Sequence, residues 1–179
     1  MLTLEQLKAI IPSTKLDYTN LIIALNDGMN EFSINTRFRV CSFLAQILHE
    51  TGGLKWMREL GGDSYFKKYD GRKDLGNTQP GDGVRYKGRG FFQLTGRANY
   101  KRYGEKLGLD LLTHPELAEA YPAAARIAGQ YWVDHGLNTL ADTEEITRIT
   151  KKINGGVNGL ADRKVWYAKC KTAITMYEG

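Results

Sequence analysis

The sequence has little of what staples a chain or anchors it to a membrane. Only two cysteines, Cys41 and Cys170, occur among 179 residues, and they lie far apart. Two are too few for a disulfide framework, and without a CxxC pair there is no zinc knuckle. We expect both thiols to be reduced and buried. The three histidines, His49, His114 and His135, are dispersed and form neither HxxxH nor HExxH, so neither a metal nor another cofactor is expected. Long apolar runs are also missing. The longest, such as Leu21 to Leu25, fall far short of the roughly 20 residues that span a bilayer. Met1 to Ile10 carries Glu5 and Lys8 without an apolar core, and does not read as a signal peptide. Proline is scarce, and no internal repeat or low-complexity tract occurs.

What is present is ordinary globular composition, 42% hydrophobic and 25% charged, enough to bury a core in one domain over residues 1–179. The net charge of +5 favours an anionic partner: nucleic acid, an acidic membrane surface or an anionic wall polymer. No nucleic-acid motif appears and the basic residues form no single run, which argues against nucleic acid.

Helical periodicity dominates both sides of a glycine-dense middle, Gly52 to Gly96. Thr3 to Ile11 reads as a short helix capped by Thr3 and stopped by Pro12, and Asp17 to Asn26 as a second. Thr36 to Glu50 is the strongest, with Val40, Phe43, Leu44, Ile47 and Leu48 making one buried stripe. Gly52-Gly53 ends it, since glycine takes left-handed geometry readily. Later helices are expected over Asn99 to Leu107, Pro122 to His135, Thr143 to Ile153 and Asp162 to Tyr177. In the last, Val165, Ala168, Lys169, Thr172, Ala173 and Met176 share a face. Gly81-Asp82-Gly83 marks a turn, and Arg85 to Thr95 is either a small hairpin or irregular loop.

The chemistry concentrates in three stretches. In His49-Glu50-Thr51-Gly52-Gly53 with Arg58-Glu59, one unbroken helix would set the glutamates about 13.5 Å apart on opposite faces. The double glycine lets Trp56 to Leu60 fold back, so that Glu59 faces Glu50 across a groove. Two carboxylates so placed suit glycoside hydrolysis, one protonating the leaving oxygen and the other activating water. Glu50 follows an apolar stripe, where partial burial favours the acid role; Glu59, beside Arg58 in a loop, stays ionised. Alone, each has a plainer reading: Glu50 as a solvated helix end, Glu59 as a surface partner of Arg58. The second stretch, Tyr86 to Tyr100, mixes turn glycines with amides, a hydroxyl and aromatics, the groups that hold sugars; Thr95 or Gln93 could hold the attacking water. Its glycines fit no phosphate loop. The third, Ile153-Asn154-Gly155-Gly156 with Asp162-Arg163, ends one helix and offers Asn154 to a sugar and Arg163 to a glutamate.

In this order, between Phe38 and Tyr167, these stretches resemble glycoside hydrolase family 19, which holds many plant chitinases and bacteriophage endolysins. The resemblance implies a lysozyme-like α+β fold, mainly α-helical and two-lobed, with a small loop or β insert lining the cleft. It implies inverting cleavage of β-1,4 linkages between N-acetylated amino sugars, with Glu50 as general acid, Glu59 as general base and Thr95 holding the water. His49, Tyr86, Gln93, Asn99, Tyr100 and Asn154 fall at substrate-binding positions, and Arg163 is a charge partner of the carboxylates. The interval between the glutamates is shorter than in many plant members, and the plant disulfide pattern is absent. The short basic chain without a secretion signal is more similar to a phage endolysin than to a plant chitinase. Peptidoglycan is then the expected substrate, with chitin as the alternative and a catalytically silent wall-binding protein as another. The protein would act as a monomer, made in the host cytoplasm and reaching the wall through a separate membrane pore. Its charge would draw it to anionic wall or outer-membrane phosphates.

Overall fold

Helix α3 (Arg37–Glu50) owes its place at the centre to its sequence: every residue from Val40 to Leu48 is buried. The apolar positions predicted as a stripe are all inside, but so are Cys41, Ser42, Ala45 and Gln46. A helix covered on all sides belongs to a core, not to a surface. The Thr36 hydroxyl caps its start by accepting the Arg39 N–H.

The structure, a computed structural model, describes residues 1–13 and 15–175. Around α3 lie α1 (Leu4–Ile10), α2 (Tyr18–Glu31), α7 (Tyr121–Asp134), α8 (Leu137–Asp142), α9 (Ile146–Asn154) and α10 (Leu160–Ala173). The short helices α4 (Asp63–Phe66) and α5 (Asp82–Arg85), then α6 (Arg97–Leu107), belong to the middle of the chain. Helix α10 packs along α3, and α2 along α7. Phe43 of α3 meets Trp132 of α7 edge-to-face, ring centroids 5.3 Å apart, and joins the two pairs.

Three helices differ from expectation for local reasons. Helix α2 continues past Asn26, because Gly28 is where the backbone of α7 comes close; a Cβ there would lie 2.9 Å from that of Ala125. Helix α8 went unrecognised. Left-handed Gly136 separates it from α7, and α9 starts only at Ile146. In α10 the predicted apolar face is the solvent face: Val165 is 66% exposed, and Ala168, Lys169 and Thr172 are exposed too. The buried side is Arg163, Tyr167 and Cys170, spaced four and three residues apart. Met176 and Tyr177 lie outside the described residues.

The glycine-dense middle contains neither a long helix nor a hairpin ladder. Among the described residues its strand-like pairing consists of isolated antiparallel bridges, Arg58 with Arg89 and Arg89 with Leu94. Polar staples hold it instead. The Asp70 carboxylate accepts N–H bonds from Gly81 and Gly83 at 3.1 and 2.7 Å. Buried Asp82 takes both ends of the Arg97 guanidinium at 2.6 and 2.9 Å, which holds its carboxyl below the usual range. Asn77, fully buried, donates to Tyr69 O and accepts from Arg97 N–H.

Both cysteines are free and buried. Burial pushes the Cys41 thiol up to about 11 and raises that of Cys170 as well. A thiol reagent should therefore label neither residue in the native protein at pH 8, and both on unfolding. Labelling faster than global unfolding, followed by absorbance at increasing denaturant, would contradict this placement.

Candidate active site

The end of α3 sets the first carboxylate. The Gly53 N–H reaches back to Leu48 O at 2.7 Å, and the Thr51 hydroxyl donates to Ile47 O and accepts the Leu54 N–H at 2.9 Å. Gly52, Gly53 and Leu54 are all left-handed, at φ +59, +73 and +65°. The two glycines adopt this without a steric penalty, and the Thr51 hydroxyl bond helps hold Leu54 there. The chain turns back directly after Glu50.

Glu50 is half-buried, and its Oε1 accepts from the Arg163 guanidinium of α10. Arg163 is fully buried and also donates to Gln46 Oε1 at 2.5 Å. Gln46 and Glu50 are one turn apart on α3, so one guanidinium spans both. Oε2 of Glu50 has no partner among the described residues. His49 stands beside this pair. Its Nδ1 is 2.6 Å from Asp162 Oδ2, and its Nε2 edge lies against Gly159, where a Cβ would come within 2.2 Å of the ring. Through the Asp162 contact His49 brackets α10 against α3, while its Nε2 has no hydrogen-bond partner among the described residues.

The second carboxylate lies past the reversal. The Glu59 N–H donates to Gly88 O at 2.8 Å, and the Gly90 N–H to Met57 O at 2.7 Å. The segment 57–59 is thereby pinned to the turn at 88–90. The Glu59 side chain accepts from the Tyr69 hydroxyl at 2.8 Å and from the Gly88 N–H at 3.3 Å. Burial and the Glu59 carboxylate raise the Tyr69 phenol, so it remains a donor. Gly88 brings three side chains together: a Cβ there would lie 3.0 Å from Gln93 Oε1, 3.2 Å from Thr95 Oγ1 and 3.3 Å from Glu59 Cβ. The Thr95 hydroxyl donates to Gln93 O at 2.8 Å, which leaves its lone pairs free to accept. Asn99 donates to Thr95 O at 2.8 Å and fixes that turn.

Aromatic contacts tie the two carboxylate segments together. Phe92, next to Gln93, lies 6.1 Å from Phe43 and 5.2 Å from Tyr131 of α7. Phe43 is two turns below Glu50 on α3 and shares its face. Burial, with the Glu50 charge next, raises the Tyr131 phenol. Nothing in the sequence pattern singled out Tyr131, Tyr69 or Gln46.

Not every residue of the predicted set is exposed to a ligand. Tyr86 and Tyr100 are core residues with engaged hydroxyls. Tyr86 donates to Leu112 O at 3.1 Å, and Tyr100 donates to Lys87 O at 2.8 Å while accepting from Arg89 at 2.9 Å. Their assignment as sugar contacts gives way to a packing role, and burial raises the Tyr100 phenol strongly. Arg163, buried behind Glu50, likewise touches carboxylate and amide rather than ligand. Asn154 ends α9, exposed and without a side-chain partner among the described residues.

Two half-buried glutamates on separate segments, one fastened to a buried arginine and one packed with the Thr95 hydroxyl around Gly88, within a mainly helical frame, suit a glycoside hydrolase. Comparison with known proteins agrees. The family model described as Chitinase class I matches residues 28–139. A glycosyl hydrolase family 19 domain-containing protein of Haemophilus influenzae is 32% identical over 68% of this chain and 72% of its own. An endochitinase of Arabidopsis thaliana is 31% identical over 83% of this chain, which spans 56% of that protein. The structure of chitinase C from Streptomyces griseus superposes with a TM-score of 0.75 at 22% identity, covering 99% of this chain and 78% of that one. The chain belongs to glycoside hydrolase family 19.

The crowding at residue 88 gives a test. Gly88→Ala should displace the Glu59, Gln93 and Thr95 group by a few tenths of an ångström and lower kcat about tenfold, because small misplacements are amplified at reacting groups. The backbone there is not left-handed, so the melting temperature should move little. Wild-type turnover would show that these three side chains do not act as a unit.

Proposed function

We propose that the chain is a muralytic glycosidase that cuts β-1,4 linkages between N-acetylated amino sugars of bacterial peptidoglycan, in the manner of a phage endolysin. The observation that carries the reading is the asymmetric fastening of Glu50. Arg163 holds Oε1 and leaves Oε2 to carry a proton to the glycosidic oxygen. As that proton leaves, charge develops on Glu50, and the guanidinium is already in place to meet it. Glu59 serves as the base. Its two donors, Tyr69 and Gly88 N–H, suit an ionised carboxylate, and remaining lone pairs take a proton from water. Thr95 Oγ accepts one O–H of that water while Glu59 accepts the other, which aims the oxygen at the anomeric carbon. The water oxygen bonds to that carbon, the glycosidic bond breaks, and the configuration inverts. Gln93, Asn99 through its free oxygen, and Asn154 are the amides offered to the sugar.

Peptidoglycan is favoured over chitin by the net charge of +5, which complements a wall bearing carboxylates and phosphates. The endochitinase names of the plant relatives favour chitin as the second reading. The enzyme would act as a monomer on the wall, reached from the host cytoplasm through a separate membrane pore.

Glu50→Gln should lower kcat by a factor of roughly 10²–10⁴, the usual contribution of a general acid, while the protein stays folded by circular dichroism. Near-normal turnover would refute the acid role. Thr95→Ala should reduce turnover clearly and Thr95→Ser only mildly; equal losses would argue against a hydroxyl function. Proton NMR of early products should show the inverted anomer. Mass spectrometry of fragments from purified peptidoglycan, run beside chitin, identifies the substrate through the reducing ends released.

A further inference from the structure

A cavity of about 670 Å³ opens against the same reversal that follows Glu50, and neither glutamate nor Thr95 lines it. One wall is the turn itself, Gly52 to Trp56; the other comes from the segment before α2 and from Trp166 of α10. Trp56 packs against Gly52 and Trp166 against Gly53, so the turn separates this cavity from the carboxylate it follows. Leu16 and Tyr121 extend the apolar surface. Two exposed lysines, Lys15 and Lys55, stand at its edge, and neither has an ion-pair partner among the described residues. None of the lining residues is acidic. Asp17, next along the chain from Leu16, is turned toward Asn20 as the cap of α2.

A pocket with aromatic walls and a cationic edge selects a ligand that is apolar in its body and anionic at its end. A single phosphate or carboxylate would use the lysines and leave the rings empty. An uncharged glycan would use the rings and leave the lysines unpaired. Within the peptidoglycan reading given above, on which this step rests, one substituent has both properties. The short peptide carried on alternate sugars combines alanine methyl groups with free carboxylates, whereas chitin carries nothing of the kind. We propose that the cavity of Trp56, Trp166, Lys15 and Lys55 binds the carboxylate-bearing peptide of the wall glycan, and that it makes the enzyme prefer peptide-substituted strands.

The test compares purified peptidoglycan with the same glycan stripped of its peptides by an amidase, using wild type, the double variant Lys15→Glu/Lys55→Glu, and a control, Lys73→Glu/Lys151→Glu, with the same net charge. Wild type and control should show a KM about tenfold lower on the peptide-bearing glycan. The pocket variant should lose that advantage and keep its kcat on the stripped glycan. Titration of wild type with the released peptide should shift the Trp56 and Trp166 indole N–H resonances. Equal KM values for wild type on both glycans, or a control that behaves like the pocket variant, would overturn the assignment. So would indole shifts with a phosphate-bearing wall polymer but not with the peptide. Cleavage of chitin and of neither wall glycan would instead overturn the peptidoglycan reading, and the pocket assignment with it.

Discussion

The structure depends on a buried positive charge. Arg163 has no exposed surface, and a guanidinium out of water is tolerable only where carboxylates and amides replace the solvent. Glu50 and Gln46 do so for its two terminal nitrogens from one side of α3, whereas its Nε has no partner among the described residues. The same contacts tie α10 to α3, since Arg163 bridges two positions one turn apart on α3. His49 and Asp162 repeat the arrangement one residue away, with Gly159 thin enough to let the imidazole ring approach. The interaction that docks the helices is therefore also the one that orients Glu50. Truncating Arg163 would not remove one contact but leave a half-buried carboxylate and a buried amide without their donor.

The two carboxylates are held by different means, and the difference suits the role proposed for each. Glu50 ends a helix with nine consecutive buried residues beneath it. Glu59 belongs to a segment with little apolar core of its own, fixed by backbone bonds to residues 88–90 and by polar staples at Asp70, Asn77 and Asp82. A proton donor must point at one oxygen of a long polymer, which favours the rigid end of the fold. A base working through water tolerates more play, provided that its partners move with it. Gly88 supplies that condition by packing Glu59, Gln93 and Thr95 against one backbone position.

Much of this was legible in the sequence because it follows from local rules. The starts of α1 and α3 are written in Thr3 and Thr36, hydroxyl caps ahead of apolar periodicity. The stop after Glu50 is written in two glycines. The face of α10 was misread because the buried positions are an arginine, a tyrosine and a cysteine, and hydrophobic pattern alone sends the first to solvent. The arginine goes inside only because α3 provides Glu50 and Gln46, which lie 113 and 117 residues away in the chain. Tyr86 and Tyr100 were misassigned for the converse reason. A tyrosine in a polar, glycine-rich stretch looks available, yet each finds a carbonyl for its hydroxyl and buries its ring.

The reversal at Thr51 to Trp56 shows how few residues separate two uses of one turn. On one side it ends α3 at Glu50. On the other its tryptophan and leucine, with Trp166, wall an apolar cavity. A short interval with three successive left-handed residues keeps Glu50, Arg163 and the neighbouring pocket in a fixed relation. On the proposed reading, the tightness of the turn bears on substrate choice as well as on catalysis.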